Sequence, residues 1–208
     1  KIEAVAKSKQ PKFLVYLGDL PGYDDDRAKN SHLMLENLRK LDIDIPVLYL
    51  PGNNDSLIDD YYSFTDSNGN TVLSEDATNP NEVWPVLHKN SSTTKISNID
   101  FRKEFGFYSV DVNTGGNTLK IIALNTVIFS SKGLYNSHNG VGSDGISQQQ
   151  ATQIQMRWLE ETLNKIDTTK VLLMMHIPLG RDGYNGKSLW DETLKYTNIN
   201  GDTLKLQN

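Results

Sequence analysis

The sequence contains no cysteine, so disulfide bonds, a thiolate nucleophile and a cysteine metal site are all excluded. It also has no apolar run near the roughly 20 residues that a membrane-spanning helix requires. Basic residues are in the minority, with 21 Lys and Arg against 26 Asp and Glu, and the net charge of −5 gives no electrostatic reason to expect nucleic-acid binding. The 208 residues are sufficient for one well-buried domain. We therefore expect a single domain without a membrane span or a nucleic-acid partner.

Helical and strand patterns alternate along the chain, which indicates an α/β fold with mixed sheets. Three helices are predicted. The first ends near Gln10, the second extends from Asp24–Asp26 to about Leu41, and the third extends from the capping box of Ser147 and Gln150 to about Ile166. The apolar face of the last helix is expected to comprise Ile154, Trp158, Leu159, Leu163 and Ile166. Strands are predicted at Phe13–Leu17, Val47–Leu50, Phe107–Val112, Leu119–Leu124 and Val171–Met175. The first, second and last of these runs are apolar, which predicts buried strands.

Polar segments interrupt this pattern. Residues 56–99 are rich in Asn, Ser, Thr and Asp, and their length without clear periodicity predicts an insert or long loop. Ser131–Gly145 is a second loop, rich in Gly, Asn and Ser, and the roughly 30 residues after Pro178 contain no predicted strand. Asn113–Asn117 predicts a hairpin turn. We predict one domain over residues 1–208, with 56–99 as its insert.

Three short segments directly follow predicted strands: Leu17–Asp19, Pro51–Asp55 and Met175–Pro178. Each places a carboxylate, an amide or an imidazole where a strand enters a loop. That mixture of oxygen and nitrogen ligands suits a hard-to-intermediate divalent metal. Two such ions about 3.5–4 Å apart can clamp a phosphoryl group for in-line hydrolysis. A nucleotide-binding α/β domain is disfavoured, because no Gly-rich phosphate loop follows the first strand.

The same segments carry a family resemblance. Gly18–Asp19, Gly52–Asp55 and His176–Pro178, in this order and each at the end of a strand, resemble the calcineurin-like metallophosphoesterases. The Leu-Pro-Gly-Asn-Asn-Asp form, followed by a Tyr-rich insert, is most similar to the acid-sphingomyelinase-like and endopolyphosphatase-like branch. The resemblance implies a four-layer sandwich of two mixed β-sheets flanked by helices. It also implies hydrolysis of a phosphoester or phosphoanhydride, in a phosphorylated small molecule or polyphosphate, by metal-activated water, and slightly favours a secreted or bacterial periplasmic location.

The resemblance also implies the site residues, position by position. Asp19 corresponds to the carboxylate that bridges two metal ions. Asn53, through its side-chain oxygen, and His176 correspond to ligands of the second ion, and the imidazole must be unprotonated to bind. Two divalent ions (Zn, Mn or Fe) are therefore expected in the intact enzyme.

Two motifs of the family are missing from these 208 residues. No Asp-x-His pair precedes Asp19, and no Gly-His-x-His segment follows His176. We expect that the chain is a fragment of a longer enzyme, truncated at both ends, with a half-built metal site and poor activity by itself. The alternative is a degenerate relative, a non-catalytic binding module on the same fold.

Asn54 is a further departure, because most of the family has a histidine here that contacts phosphate and is often assigned as the general acid. An amide can donate a hydrogen bond to a phosphate oxygen but cannot deliver a proton. General acid catalysis is worth about 10²–10⁴-fold and matters most for poor leaving groups, so Asn54 favours an anhydride over an alkyl phosphodiester. Alternatively, His88 or His138 reaches the site and replaces the acid.

Overall fold

The computed structural model describes residues 1–20, 26–56, 59–62, 85–88, 91–130, 146–166, 170–178, 195–197 and 203–205. Its elements are helix α1 (Ile2–Lys9), strand β1 (Leu14–Tyr16), α2 (Arg27–Arg39), β2 (Val47–Tyr49), β3 (Val86–Leu87), β4 (Lys95–Arg102), β5 (Phe107–Asn113), β6 (Thr118–Leu124), a 3₁₀ turn (Thr126–Phe129), α3 (Gln148–Asn164), β7 (Lys170–Met175), β8 (Lys195–Thr197) and β9 (Thr203–Lys205). Every predicted helix and strand is present, and β3, β4, β8 and β9 are additional. None of the helices in these ranges is long and apolar enough to cross a membrane.

The strands form two mixed sheets and a two-stranded hairpin. In the first sheet, β2 lies between β1, to which it is parallel, and β3, to which it is antiparallel. In the second sheet, β4, β5 and β6 are antiparallel neighbours and β7 pairs with β6 in parallel. The hairpin consists of β8 and β9. Because β1 and β2 are parallel neighbours, the segments that follow them leave the sheet at the same edge.

The two sheets pack face to face between α2 and α3. Along β2, Leu48 and Leu50 belong to the apolar cluster between the sheets, whereas Val47 and Tyr49 belong to the cluster that includes α2. This alternation follows from the two-residue period of a strand. A third cluster joins the second sheet to α3 and includes Phe107, Ile122 and Trp158. The layer order is therefore helix, sheet, sheet, helix, and the predicted four-layer α/β architecture is confirmed.

Burial differs among the three strands that were expected to be buried. The residues of β2 are at most 1% exposed, but Val171, Leu172 and Leu173 of β7 are 42, 38 and 43% exposed. Among the described strands, β7 lies at the end of its sheet and β1 lies at the end of the other. The prediction of burial is therefore wrong for residues 171–173, because an apolar run does not reveal whether its strand is central or at an edge.

The buried face of α3 also differs from the predicted one. Trp158 is buried as expected, but Ile154 and Leu163 are 38 and 46% exposed. The helix instead buries polar side chains, among them Gln148, Thr152, Gln155 and Thr162. Gln148 and Gln155 hydrogen-bond to backbone groups of residues 125–130. Those hydrogen bonds offset the free-energy cost of burying the two amides.

The polar segments contain strands that the sequence does not indicate. β3 and the beginning of β4 lie within residues 56–99, and β8 and β9 lie after Pro178. The loop predicted at Ser131–Gly145 lies outside the described residues. The turn predicted at Asn113–Asn117 is present, with the Thr114 N–H donating to the Asn117 carbonyl at 2.9 Å.

Candidate metal site

Three loops meet at one edge of the sandwich. β1, β2 and β7 each end immediately before one of the three polar segments singled out in the sequence. The ring of His176 joins these loops: Nδ1 lies 2.6 Å from the carbonyl oxygen of Leu17, and Nε2 lies 2.9 Å from Asn53 Oδ1 and 3.5 Å from Asp19 Oδ1. The structure therefore brings together Asp19, Asn53 and His176, whose role as ligands stays a prediction.

Hydrogen-bond partners fix which atoms of Asn53 and His176 face each other. Asn53 Nδ2 donates to the carboxylate of Asp60, so Asn53 Oδ1 faces His176. His176 Nδ1 donates to the Leu17 carbonyl, so a neutral imidazole directs the lone pair of Nε2 toward Asn53. Oδ1 of Asp19 is the third electron-rich atom. A proton on Nε2 or a cation between the three atoms would stabilise this arrangement.

The distances from His176 Nε2 to the other two donor atoms suit a shared ion. Ligand atoms at 2.0–2.2 Å from a Zn-type ion lie roughly 2.8–3.6 Å apart at adjacent coordination positions. The observed separations from His176 Nε2 are 2.9 and 3.5 Å. Within the described ranges, no group of three or more His, Cys, Asp or Glu side chains could hold a metal. This candidate site has only two such side chains, because its third donor atom is the amide oxygen of Asn53. The side chains of His176 and Asp19 are 20 and 32% exposed, so the site is open to solvent.

Two glycines allow the loops to approach so closely. A Cβ added at Gly18, whose φ is +92°, would lie 2.3 Å from the Gly52 nitrogen. A Cβ at Gly52 would lie 2.3 Å from Asp19 Oδ1 and 2.9 Å from the ring of His176. All three distances are below van der Waals contact, so any side chain at either position displaces a member of the site.

Asp55 ties the first two loops together. Its carboxylate accepts hydrogen bonds from the backbone N–H groups of Gly52 and Asp19, each at 2.6 Å, and of Leu20 at 3.0 Å. Asp19 adopts a left-handed φ of +57°, an uncommon conformation for a residue with a side chain. Burial raises the pKa of Asp55 to about 6, although its hydrogen bonds oppose that rise. Burial, together with the nearby Asp55, also holds the pKa of Tyr49 well above its usual range.

Asn54 contacts Asp19. Its backbone N–H donates to Asp19 Oδ1 at 3.0 Å, and its Nδ2 donates to Asp19 Oδ2 at 3.1 Å. Asn54 is only 1% exposed. In the structure its amide therefore orients the carboxylate of Asp19, and its contact with phosphate stays a prediction.

Three further residues support the site and were missed by sequence reasoning. Asp55 and Asp60 hold the loops as described above, and the buried Thr126 accepts the N–H of Ile177 at 2.8 Å, next to His176. Asp55 belongs to a recognised segment, so its position was a usable signal. Asp60 and Thr126 lie outside the three polar segments, and the pattern of residues around them does not distinguish them.

The other histidines are placed as follows. His88 has its Nε2 3.2 Å from the carbonyl oxygen of Leu38, at the C-terminal end of α2. His32 is exposed on α2. His138 lies outside the described residues. The contact of His88 with Leu38 supports a structural role for its ring.

Comparisons with known proteins bear on this geometry. No curated protein matches the sequence. The family model described as calcineurin-like phosphoesterase matches residues 1–204 of the 208. Membership of this family implies a metal-dependent hydrolase that uses divalent ions and acts on a phosphorylated substrate. The resemblance carried by the three polar segments is thus confirmed at the level of the family, and the chain belongs to the calcineurin-like phosphoesterases.

Proposed function

We propose that Asp19, Asn53 and His176 hold a divalent ion with which this chain, or the longer enzyme containing it, hydrolyses a phosphoester or phosphoanhydride. The observation that carries the proposal is the convergence of three donor atoms from three loops, with separations of 2.9 and 3.5 Å from His176 Nε2. In the intact enzyme, we expect Asp19 to bridge to a second ion.

Each side chain has a separate part in this proposal. The ion, when bound, would polarise a phosphoryl oxygen and lower the pKa of bound water. Asp19 supplies negative charge, and Asn53 supplies a neutral oxygen that avoids an excess of charge. The Nδ1–H of His176 is held by the Leu17 carbonyl, which fixes the ring so that Nε2 is the free donor atom.

We further propose that the preferred substrate is a phosphoanhydride, such as polyphosphate or ATP. Asn54 stands where most relatives have an acidic imidazole, and its amide can donate a hydrogen bond but cannot transfer a proton. The phosphate leaving group of an anhydride departs without much protonation. An alkyl phosphodiester expels an alkoxide, so its hydrolysis loses the roughly 10²–10⁴-fold benefit of a general acid. An amide at position 54 therefore favours the endopolyphosphatase-like part of the branch over the sphingomyelinase-like part.

The second candidate function is phosphate binding without catalysis. It is favoured by the lack of Asp-x-His and Gly-His-x-His motifs in the 208 residues. A site with the ligands of one ion can bind an anion through that ion, but it lacks the two-metal clamp for an in-line displacement.

The test measures Mn²⁺ binding by calorimetry and phosphate release from polyphosphate, ATP and bis(p-nitrophenyl) phosphate. His176→Ala should lower Mn²⁺ affinity by more than about tenfold, since even the loss of a supporting hydrogen bond costs about 10–100-fold. His32→Ala is the matched control, because His32 is exposed on α2, and it should bind Mn²⁺ like the wild type.

The substrates then separate the two functions. Slow turnover that is faster on polyphosphate and ATP than on the diester, and that His176→Ala abolishes, supports the proposed hydrolase. Binding of Mn²⁺ and phosphate with no turnover of any substrate favours the binding module. Equal Mn²⁺ affinity in wild type and His176→Ala contradicts the ligand assignment.

A further inference from the structure

We infer that Asp60 is a positioning residue that sets the orientation of the Asn53 amide and thereby decides which Asn53 atom faces the metal site. The inference rests on the proposed function, since the orientation matters only if Asn53 is a ligand. Asp60 is not part of any of the three polar segments and lies seven positions beyond Asn53.

The structure holds Asn53 at two points. Its Nδ2 donates to Asp60 Oδ1, and its backbone carbonyl accepts the N–H of Tyr61 at 2.9 Å. Asn53 is 7% exposed, so solvent contributes little to the choice of orientation. The side-chain contact selects the amide rotamer, and the backbone contact keeps Asp60 in reach.

Without Asp60, the amide has a reason to turn over. The two ends of an Asn amide have nearly the same shape, so rotation by half a turn exchanges oxygen and nitrogen without a change in packing. The Nδ2 would then donate to the lone pair of His176 Nε2, which lies 2.9 Å from the present Oδ1. This flipped state satisfies the metal-free site but presents N–H protons to a cation. A carboxylate accepts and never donates, so Asp60 excludes the flipped state.

The segment that carries Asp60 is itself held in place. Asp59 Oδ1 accepts the N–H of Asp60 at 2.7 Å. Tyr61 has a left-handed φ of +64°, which is rare for an aromatic residue, and its side chain packs against the apolar cluster between the second sheet and α3. A conformation of this kind persists only where the surroundings impose it. The core therefore fixes the backbone from which Asp60 reaches Asn53.

The experiment compares Asp60→Ala with Asp60→Asn. Both remove the same negative charge, but only Asn keeps an oxygen that can accept from Asn53 Nδ2. A pure charge effect predicts equal losses of Mn²⁺ affinity in the two variants, whereas the orientation role predicts a clearly larger loss for Ala. We expect Asp60→Ala to bind Mn²⁺ about 10–100-fold more weakly than wild type. Asp59→Asn is the matched control, since it removes a charge one residue away and keeps an acceptor for the Asp60 N–H, and it should stay within about twofold of wild type.

A second readout needs neither metal nor activity. The side-chain amide of Asn53 gives a ¹⁵N–¹H pair that is identified by its loss in Asn53→Asp. In the metal-free protein, one of its two protons should be strongly deshielded by the Asp60 carboxylate in the wild type and in Asp59→Asn, and should lose that shift in Asp60→Ala.

The outcomes separate this inference from the proposed function. If the wild type binds Mn²⁺ and the two Asp60 variants bind it equally, the orientation role is overturned while the metal site stands. If the wild type binds no Mn²⁺, the proposed function fails, and the amide spectrum alone decides: an unchanged Asn53 signal in Asp60→Ala overturns the inference, and a lost shift supports it. If Asp60→Ala does not fold, the amide spectrum of Asp60→Asn decides. The inference then requires the strongly deshielded Asn53 proton to lose its shift in a variant that melts near the wild-type temperature, and an unchanged Asn53 signal overturns the inference.

Discussion

Single residues set how closely the loops of the site approach one another. Gly52 leaves room for the carboxylate of Asp19. The carboxylate of Asp55 accepts backbone N–H groups from the loop after β1 and from the loop after β2. Asn54 donates one hydrogen bond to each carboxylate oxygen of Asp19. The candidate ligands are therefore held by residues of the Pro51–Asp55 segment, and changes at those residues should affect metal binding directly.

Gly52→Ala should disrupt the site more than the fold. The added Cβ would lie 2.3 Å from Asp19 Oδ1, so the carboxylate must move. We expect Mn²⁺ affinity to fall by more than about tenfold and the free energy of unfolding to fall by about 1–3 kcal/mol. Calorimetric titration and urea unfolding measure the two effects.

Gly115→Ala provides the contrast, because its Cβ would meet no atom within 4 Å but its φ of +65° strains any other residue. It should cost about 1–2 kcal/mol of stability and leave Mn²⁺ affinity unchanged. A Gly52 variant that binds Mn²⁺ normally would show that the loops can separate without harm.

Asp55→Asn should destabilise the fold. The carboxylate accepts three backbone N–H groups with its two oxygens, and an amide has only one oxygen to offer them. We expect a loss of about 2–4 kcal/mol in the free energy of unfolding. The control is Asp26→Asn, where the exposed side chain caps α2 through one contact with the Lys29 N–H and Asn caps equally well. Equal stabilities of the two variants would contradict the tying role of Asp55.

At the scale of elements, the two sheets and α3 place the loops. The first sheet contributes the segments after β1 and β2, and the second contributes His176 after β7. The end of β7 is anchored where Ile177, 3% exposed, joins the apolar cluster under α3. The packing of α3 against the second sheet therefore supports the position of His176.

Gln155→Leu should weaken that packing. Gln155 is fully buried, accepts the Asn125 N–H at 2.8 Å and donates to the Asn125 carbonyl at 3.1 Å. A leucine of similar size leaves both backbone groups buried without these partners, which should cost about 2–4 kcal/mol in urea unfolding. Gln149→Leu, on the exposed side of the same helix, should change stability by less than about 0.5 kcal/mol. A small effect at Gln155 would mean that the loop after β6 adjusts freely.

At the scale of the whole molecule, the site connects the two sheets of the sandwich. Asp19 and Asn53 follow strands of one sheet, and His176 follows a strand of the other. An ion bound by all three would cross-link the sheets and would be lost when they separate. Metal binding and global stability should therefore be linked.

Mn²⁺ or Zn²⁺ at about 100 times its dissociation constant should stabilise the folded chain by about 2.7 kcal/mol. For a chain of this size, each kcal/mol raises the melting temperature by about 2–4 °C, so a rise of about 5–10 °C is expected. Differential scanning calorimetry with and without metal measures the shift, and EDTA should reverse it. His176→Ala should show no shift, and a shift equal to that of the wild type would place the ion elsewhere.

Much of the architecture was predictable because its patterns are local. The start of α2 at Asp26 and the capping box of Ser147 and Gln150 depend only on neighbouring residues, and the structure contains both. The hairpin turn at residues 113–117 follows from its own Asn and Gly residues. Burial was less predictable, since Leu172 and Leu48 lie in similar apolar runs but at an edge and at the centre of a sheet.

The sequence by itself determined the order of the three helices and of five strands (β1, β2, β5, β6 and β7), the family, and the three segments that supply the candidate ligands, because each is encoded within a few consecutive residues. Only the tertiary structure decided that the Asn53 amide donates to Asp60, that Asp55 joins two loops, and that α3 buries glutamines rather than Ile154 and Leu163. These are contacts between residues distant in the chain or choices among faces of one element. Their energies depend on which partner groups the fold brings within hydrogen-bonding distance, and no local pattern carries that information.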